Sequence, residues 1–184
     1  EWGRLLAFTV LSDDTLLLAV SGLDRLLAPH LKVYRSTDGG DAWQGPATIS
    51  AAPYNDIGGG FVSMTQLASG TVLLPVSRRT DDASGHRSQD LAFRSTDGGE
   101  TWGDPQPTFD YVGETHVIQL HSGGVLGAFR LQRSVLERDS ADFVEKWSHR
   151  AGQVPSAAPS RGGPLFKRVF IGESDDDGRT WTGL

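Results

Sequence analysis

Glu114 and Arg130 are the two residues whose types and placement point to chemistry. Glu114 opens an apolar run, Thr115-His116-Val117-Ile118-Gln119-Leu120. The segment His121-Ser122-Gly123-Gly124 then turns the chain, and Arg130 closes the returning run Val125-Leu126-Gly127-Ala128-Phe129. In an up-and-down strand pair joined by a tight turn, the first residue of one strand and the last of the other lie at the same end. A carboxylate and a guanidinium therefore face one opening. A functional site at that opening is one reading of the pair. A rim salt bridge with no chemistry is the alternative reading. Arg133 lies close enough in sequence to compete with Arg130 for the role of functional arginine.

Three further clusters of acidic residues have a different explanation. Ser36-Thr37-Asp38-Gly39-Gly40-Asp41-Ala42-Trp43, Ser95-Thr96-Asp97-Gly98-Gly99-Glu100-Thr101-Trp102 and Ser174-Asp175-Asp176-Asp177-Gly178-Arg179-Thr180-Trp181 all fit S-x-D-x-G-x-[TA]-W. Ser95 follows Ser36 by 59 residues and Ser174 follows Ser95 by 79, so the box marks a repeated structural unit. Glycine supplies positive φ without steric cost, and Asp can accept hydrogen bonds from nearby turn amides. The box reads as a device that locks a turn between antiparallel strands, with Trp folding back beside it. A catalytic acid would not be needed three times. Asp175-Asp176-Asp177 carries enough charge to attract calcium, but box duty accounts for it. His86, His116, His121 and His149 show no metal-ligand spacing, and no metal or other cofactor is expected.

The elements that must position Glu114 and Arg130 follow from the alternation around each box. Leu5–Leu11 and Thr15–Val20 flank a Ser-Asp-Asp turn, and Leu31–Arg35 leads into the first box. Phe61–Leu67 and Thr71–Arg78 flank Ala68-Ser69-Gly70. A polar loop is expected over Arg79–Ser88, and Asp90–Phe93 leads into the second box. The third pass runs His116–Leu120, Val125–Arg130 and Lys167–Ile171 into the third box. Each pass reads strand, turn, strand, loop, strand, box, short strand. The expectation is an all-β chain of about three four-stranded antiparallel propeller blades, over residues 1–50, 51–108 and 109–184. Residues 131–165 read as an insertion in the third blade. Within it a helix is expected over Leu131–Arg150, and a proline-rich loop over Gly152–Pro164. Three blades do not close a ring, so the chain reads as an internal fragment of a larger propeller or as half of an assembly that self-associates through open blade edges.

Composition narrows the partners. The 184 residues carry a formal net charge of −6 and no basic run, which argues against nucleic-acid binding. With 23 glycines, 9 prolines and 38% hydrophobic residues, the balance suits many short strands with turn-rich joints. There is no cysteine, so disulfides and thiolate metal sites are excluded. No segment has the roughly 18 apolar residues of a membrane-spanning helix, and no signal peptide is visible.

The boxes match the Asp-box of the sialidase (neuraminidase) superfamily, and the Glu114–Arg130 stretch resembles the sialidase segment running from a Glu, through a strand, a Gly turn and a second strand, to an Arg. Gly60–Val76 is similar to the Gly-rich beginning, Gln-Leu, Gly turn and Pro-Val strand that precede that segment in the family. Asp-boxes alone also occur in sortilin-like receptors, xyloglucanases and other propellers; the ordered Glu-to-Arg segment is the more specific feature. The resemblance implies a six-bladed, secreted or periplasmic exo-sialidase that releases terminal sialic acid from glycoconjugates. Sialic acid bears a carboxylate on its anomeric carbon, so a tyrosine activated by a Glu serves as nucleophile in place of the usual second carboxylate. Carried over by position, Glu114 is that activating base and Arg130 one arm of the arginine triad that binds the sugar carboxylate. None of Tyr34, Tyr54 and Tyr111 occupies the nucleophile position, and the tyrosine and the last triad arginine belong to later blades. In one register Arg4 matches the first triad arginine, with Leu6 where the family has proline, and Asp24 falls near the acid position. In the register preferred here, residues 1–50 form the second blade, and Arg4 and Asp24 are surface residues. A non-catalytic propeller that binds glycans or proteins, or a scaffold of the sortilin kind, is the alternative to an enzyme.

Overall fold

The three boxes fold as the local chemistry requires. In the computed structural model, which describes residues 4–21, 31–49, 54, 57, 63–82, 85–134, 137–143, 145 and 165–183, each box serine donates its hydroxyl hydrogen to the box aspartate and accepts the amide of the glycine four residues on. Ser36 Oγ meets Asp38 Oδ1 at 2.8 Å and Gly40 N at 2.9 Å. The corresponding distances are 2.8 and 2.8 Å around Ser95, and 2.8 and 2.8 Å around Ser174. The aspartate then accepts the amide of the residue before the tryptophan, Ala42, Thr101 or Thr180. In the second and third boxes the indole nitrogen closes the turn onto the glycine carbonyl, each at 3.1 Å. Asp38, Asp97 and Asp176 are thereby occupied in holding turns.

These hydrogen bonds have a consequence in acid. Slight burial pushes the Asp176 carboxyl up, but hydrogen bonds from Thr180, Ser174 and Arg179 outweigh it and hold its pKa down at about 2. A depressed carboxylate stabilises the fold above its unfolded value near 3.8, and this contribution is lost as pH falls toward 2. Asp176→Ala is expected to lower stability by roughly 1–2 kcal/mol at neutral pH. Thermal denaturation from pH 7 down to pH 2 should show the gap to the parent closing in that acid window. A gap independent of pH would mean the carboxylate charge is not what holds the turn.

Twelve strands assemble around these turns. β1 (Arg4–Val10), β2 (Leu16–Ser21), β3 (Leu31–Ser36) and β4 (Gln44–Ile49) form one antiparallel sheet in that order. β5 (Thr65–Gln66), β6 (Val72–Asp82), β7 (Gly85–Ser95) and β8 (Gly103–Asp110) form the second. β9 (Val112–Gln119), β10 (Val125–Ser134), β11 (Leu165–Ser174) and β12 (Thr182–Gly183) form the third. Each sheet is a four-stranded blade of a β-propeller, with its box between the third and fourth strands.

The blades stack through their apolar faces. Leu6, Leu17, Leu31, Val33 and Ile49 of the first blade share one buried core with Val72, Leu74, Val76, Leu91 and Phe93 of the second. Leu67 and Leu73 meet Val117, Val125 and Trp181 across the next seam. Equivalent side chains repeat the same joint. Gln66 Oε1 accepts the amide of Ser12 in the preceding blade at 2.7 Å, and Gln119 Oε1 accepts that of Ala68 at 2.6 Å. Gly99, in the left-handed region at φ +90°, leaves room for Leu17; a Cβ there would stand 2.6 Å from Leu17 Cδ2.

Three expectations need correction. Arg79–Ser88 is not a loop: β6 and β7 pair continuously from Val72↔Ser95 to Asp82↔Gly85. A hairpin that projects beyond its blade satisfies its backbone through its own ladder and requires no apolar alternation, so its polar sequence conceals it. In the same way 131–134 is strand, not helix, because β10 pairs with β11 as far as Ser134↔Leu165; helix among the described residues is confined to 141–143 and 145. The expected loop over Gly152–Pro164 lies outside the described residues. The run Phe61–Leu67 supplies only the short strand Thr65–Gln66 among its described positions.

Candidate functional site

β9 and β10 bring Glu114 and Arg130 together. Arg130 Nη1 lies 2.8 Å from Glu114 Oε2, with the two side chains 35% and 41% exposed. Arg130 Nη2 also donates to Gln132 Oε1 at 2.7 Å. The guanidinium is thus oriented from two sides at the end of the blade where β9 begins.

The local backbone is unusual. Glu114 has φ +58°, in the left-handed region that a non-glycine residue rarely occupies. Pairing across β9 and β10 slips at this point: Gly113 faces Arg130, His116 faces Ala128, and Glu114 and Thr115 together stand opposite Phe129. This is a β-bulge, a device that redirects a side chain out of the ordinary alternation. A left-handed non-glycine residue costs about 1–2 kcal/mol. A half-exposed ion pair contributes about 0–1 kcal/mol, so the pair alone does not offset the backbone it depends on.

Beneath Glu114 lies a polar cluster that the sequence did not reveal. Asp90 and Thr115 are fully buried, and Ser77 nearly so. Asp90 Oδ2 accepts the Thr115 amide at 3.2 Å and, closer still, the Thr115 hydroxyl. Ser77 Oγ accepts the Glu114 amide at 3.3 Å. Burial pushes the Asp90 pKa up, and hydrogen bonding by Ser77 and Thr115 opposes the rise without cancelling it; the Glu114 charge adds to it. Asp90 Oδ1 has no hydrogen-bond partner in the structure, although the Ser77 hydroxyl is near enough to favour the ionised carboxyl. A signal was present in the sequence: Asp90 stands five residues before the box serine, where the other two repeats carry Leu31 and Val169.

Among the sequence candidates whose side chains are described, Arg133 does not join this pair. Arg133 is engaged by Asp139, with guanidinium-to-carboxylate distances of 2.6 and 2.9 Å, and lies over the Phe143 ring. Arg4 stands at the start of β1 opposite Ser21, and its side chain lies outside what is described; so does Asp24. Tyr54 packs under the Arg78 guanidinium at 4.6 Å, and Tyr111 O accepts the Gln132 amide. No group among the described residues is arranged to hold a metal ion, and no described helix is long and apolar enough to cross a membrane.

No protein-family model matches the chain, and no curated protein matches it. Solved structures do. A protein of unknown function from Dyadobacter fermentans is 22% identical and superposes with a TM-score of 0.62 over 96% of this chain and 48% of its own. A Hadza microbial sialidase is 18% identical, with a TM-score of 0.60 over 98% of this chain and 32% of its own. An alpha-L-arabinanase from Penicillium chrysogenum, complexed with arabinobiose, is 16% identical, with a TM-score of 0.63 over 97% and 48%. Identities this low establish the fold alone. The chain has a β-propeller fold, shared with the sialidase and the arabinanase, and it spans from about a third to about half of the length of these three proteins.

Proposed function

We propose that the three blades are part of a propeller glycoside hydrolase that releases terminal sialic acid from acidic glycans. The observation that carries this reading is the Glu114–Arg130 pair, held at one end of the third blade by a left-handed bulge. The order of residues in that segment resembles the sialidase Glu-to-Arg segment. One solved neighbour is a sialidase, which agrees with the reading, whereas another is an alpha-L-arabinanase complexed with arabinobiose.

In this mechanism Arg130 binds the sugar carboxylate through charge-assisted hydrogen bonds. Glu114 takes the proton of a tyrosine as its oxygen attacks the anomeric carbon, a role in which a neutral nucleophile avoids repulsion by the substrate carboxylate. That tyrosine, the remaining arginines and the acid that protonates the leaving group belong to further blades of a six-bladed ring. The outer faces of the two end blades fit such a ring. Leu5, Phe8, Val10 and Trp43 on the first blade, and Ile118, Leu120, Val169 and Ile171 on the third, are exposed apolar side chains. We read these faces as covered by neighbouring blades, with self-association of the isolated piece as the alternative.

Arg130→Ala in the full-length protein is expected to weaken binding of sialic acid by roughly 1.5–3 kcal/mol, the worth of a hydrogen bond to a charged group. Isothermal titration with sialic acid, and with arabinobiose as the neutral control, reads this directly. Loss of sialic acid binding with arabinobiose unaffected supports an acidic-sugar site. Binding of arabinobiose alone by the parent would overturn it.

A further inference from the structure

Asp90 is expensive where it sits. Its counterpart in the first repeat, Leu31, is buried too, so an aliphatic residue suits this place in β3; Val169, the counterpart in β11, is exposed. A buried carboxyl with one oxygen lacking a hydrogen bond is therefore not required by blade packing. What Asp90 does, together with Ser77, is hold two consecutive amides of the next blade. Ser77 Oγ accepts from Glu114 N and Asp90 Oδ2 from Thr115 N, at 3.3 and 3.2 Å. These are the two residues that bulge out opposite Phe129. The space for the clamp is kept by Gly113, where a Cβ would stand 3.2 Å from Ser77 Oγ and 3.9 Å from Asp90 Oδ1.

We propose that Asp90, assisted by Ser77, is the positioning residue of this site: it holds the bulge across the seam between blades and so aims the Glu114 carboxylate at Arg130. The geometric part stands on the clamp itself. Its consequence for turnover rests on the sialidase reading given above.

The test uses Asp90→Leu and Asp90→Asn in the full-length protein. Leucine is the residue the first blade carries at this place, so the variant is expected to fold, with the buried Thr115 amide and hydroxyl released from the carboxylate. Its crystal structure should show Glu114 at negative φ and the ion pair opened beyond about 4 Å. Turnover of a fluorogenic sialic-acid glycoside should fall at least about tenfold through misplacement of the base. Asparagine keeps an oxygen for the Thr115 amide and should restore most of the loss. A leucine variant that keeps φ positive and the ion pair closed overturns the proposal. So does one that loses stability while turnover per folded molecule is unchanged. Should the leucine variant not fold, Ser77→Ala carries the same test, and an unmoved Glu114 in it is equally fatal. If the parent does not cleave the glycoside, the sialidase reading fails, while the crystallographic result still decides the positioning role.

Discussion

Glu114→Gln in the full-length protein should lower hydrolysis of a fluorogenic sialic-acid glycoside by about 100-fold or more, within the range a positioned general base contributes. Glutamine preserves the length of the side chain and an oxygen facing Arg130, so substrate affinity and melting temperature are expected to stay near the parent's. What is removed is the capacity to accept a proton. Initial rates across substrate concentrations separate the two parameters, because loss of a group needed only in the transition state lowers kcat and kcat/KM together. Equal turnover in variant and parent would remove Glu114 from the proposed chemistry. An inactive parent that still binds sialylated glycans would favour the binding-module reading.

The second large effect concerns stability. Phe129 is fully buried on β10, directly opposite the bulge. Its ring makes edge contacts with Phe109 at 4.8 Å and Trp181 at 5.2 Å, and stacks on Phe170 at 5.3 Å. Gly127 and Gly172 leave the space these rings occupy: a Cβ on Gly127 would stand 2.5 Å from Phe129 Cε2, and one on Gly172 2.8 Å from Phe109 Cε2. Phe129→Ala would leave a cavity at the junction of two blades and the third box, and is expected to cost about 3–5 kcal/mol. At the scale of a domain this size, that is a fall in melting temperature of roughly 10 °C. Differential scanning calorimetry should place this variant well below Asp176→Ala. Equal values for the two would mean that the aromatic cluster is not the packing centre of the third blade.

Much of the blade pattern could be read from the sequence because it is written in short intervals. The box depends on hydrogen bonds two and four residues apart, from Ser36, Ser95 and Ser174 to their aspartates and glycines. Alternation of apolar side chains marks strands such as Leu16–Ser21, whose buried positions recur at every second residue. Antiparallel pairing across a tight turn was enough to bring Glu114 and Arg130 to the same end of the strand pair. The same rules failed on the polar halves of β6 and β7 and on 131–134, where strands extend past the core and alternation no longer reports them.

The clamp beneath Glu114 was beyond such rules. Asp90 was read as part of an ordinary strand leading into a box, and nothing near it in sequence indicates that its carboxyl reaches Thr115 in the next blade. The bulge likewise arises because amides on β9 find acceptors on β6 and β7 in place of β10. By itself the sequence determined the turns, the repeated strands and the arrival of Glu114 and Arg130 at the same end of one strand pair, since each depends on neighbours along the chain. Only the tertiary structure decided which carboxyl is buried and how the backbone at Glu114 is bent, because both depend on how one blade packs against the next.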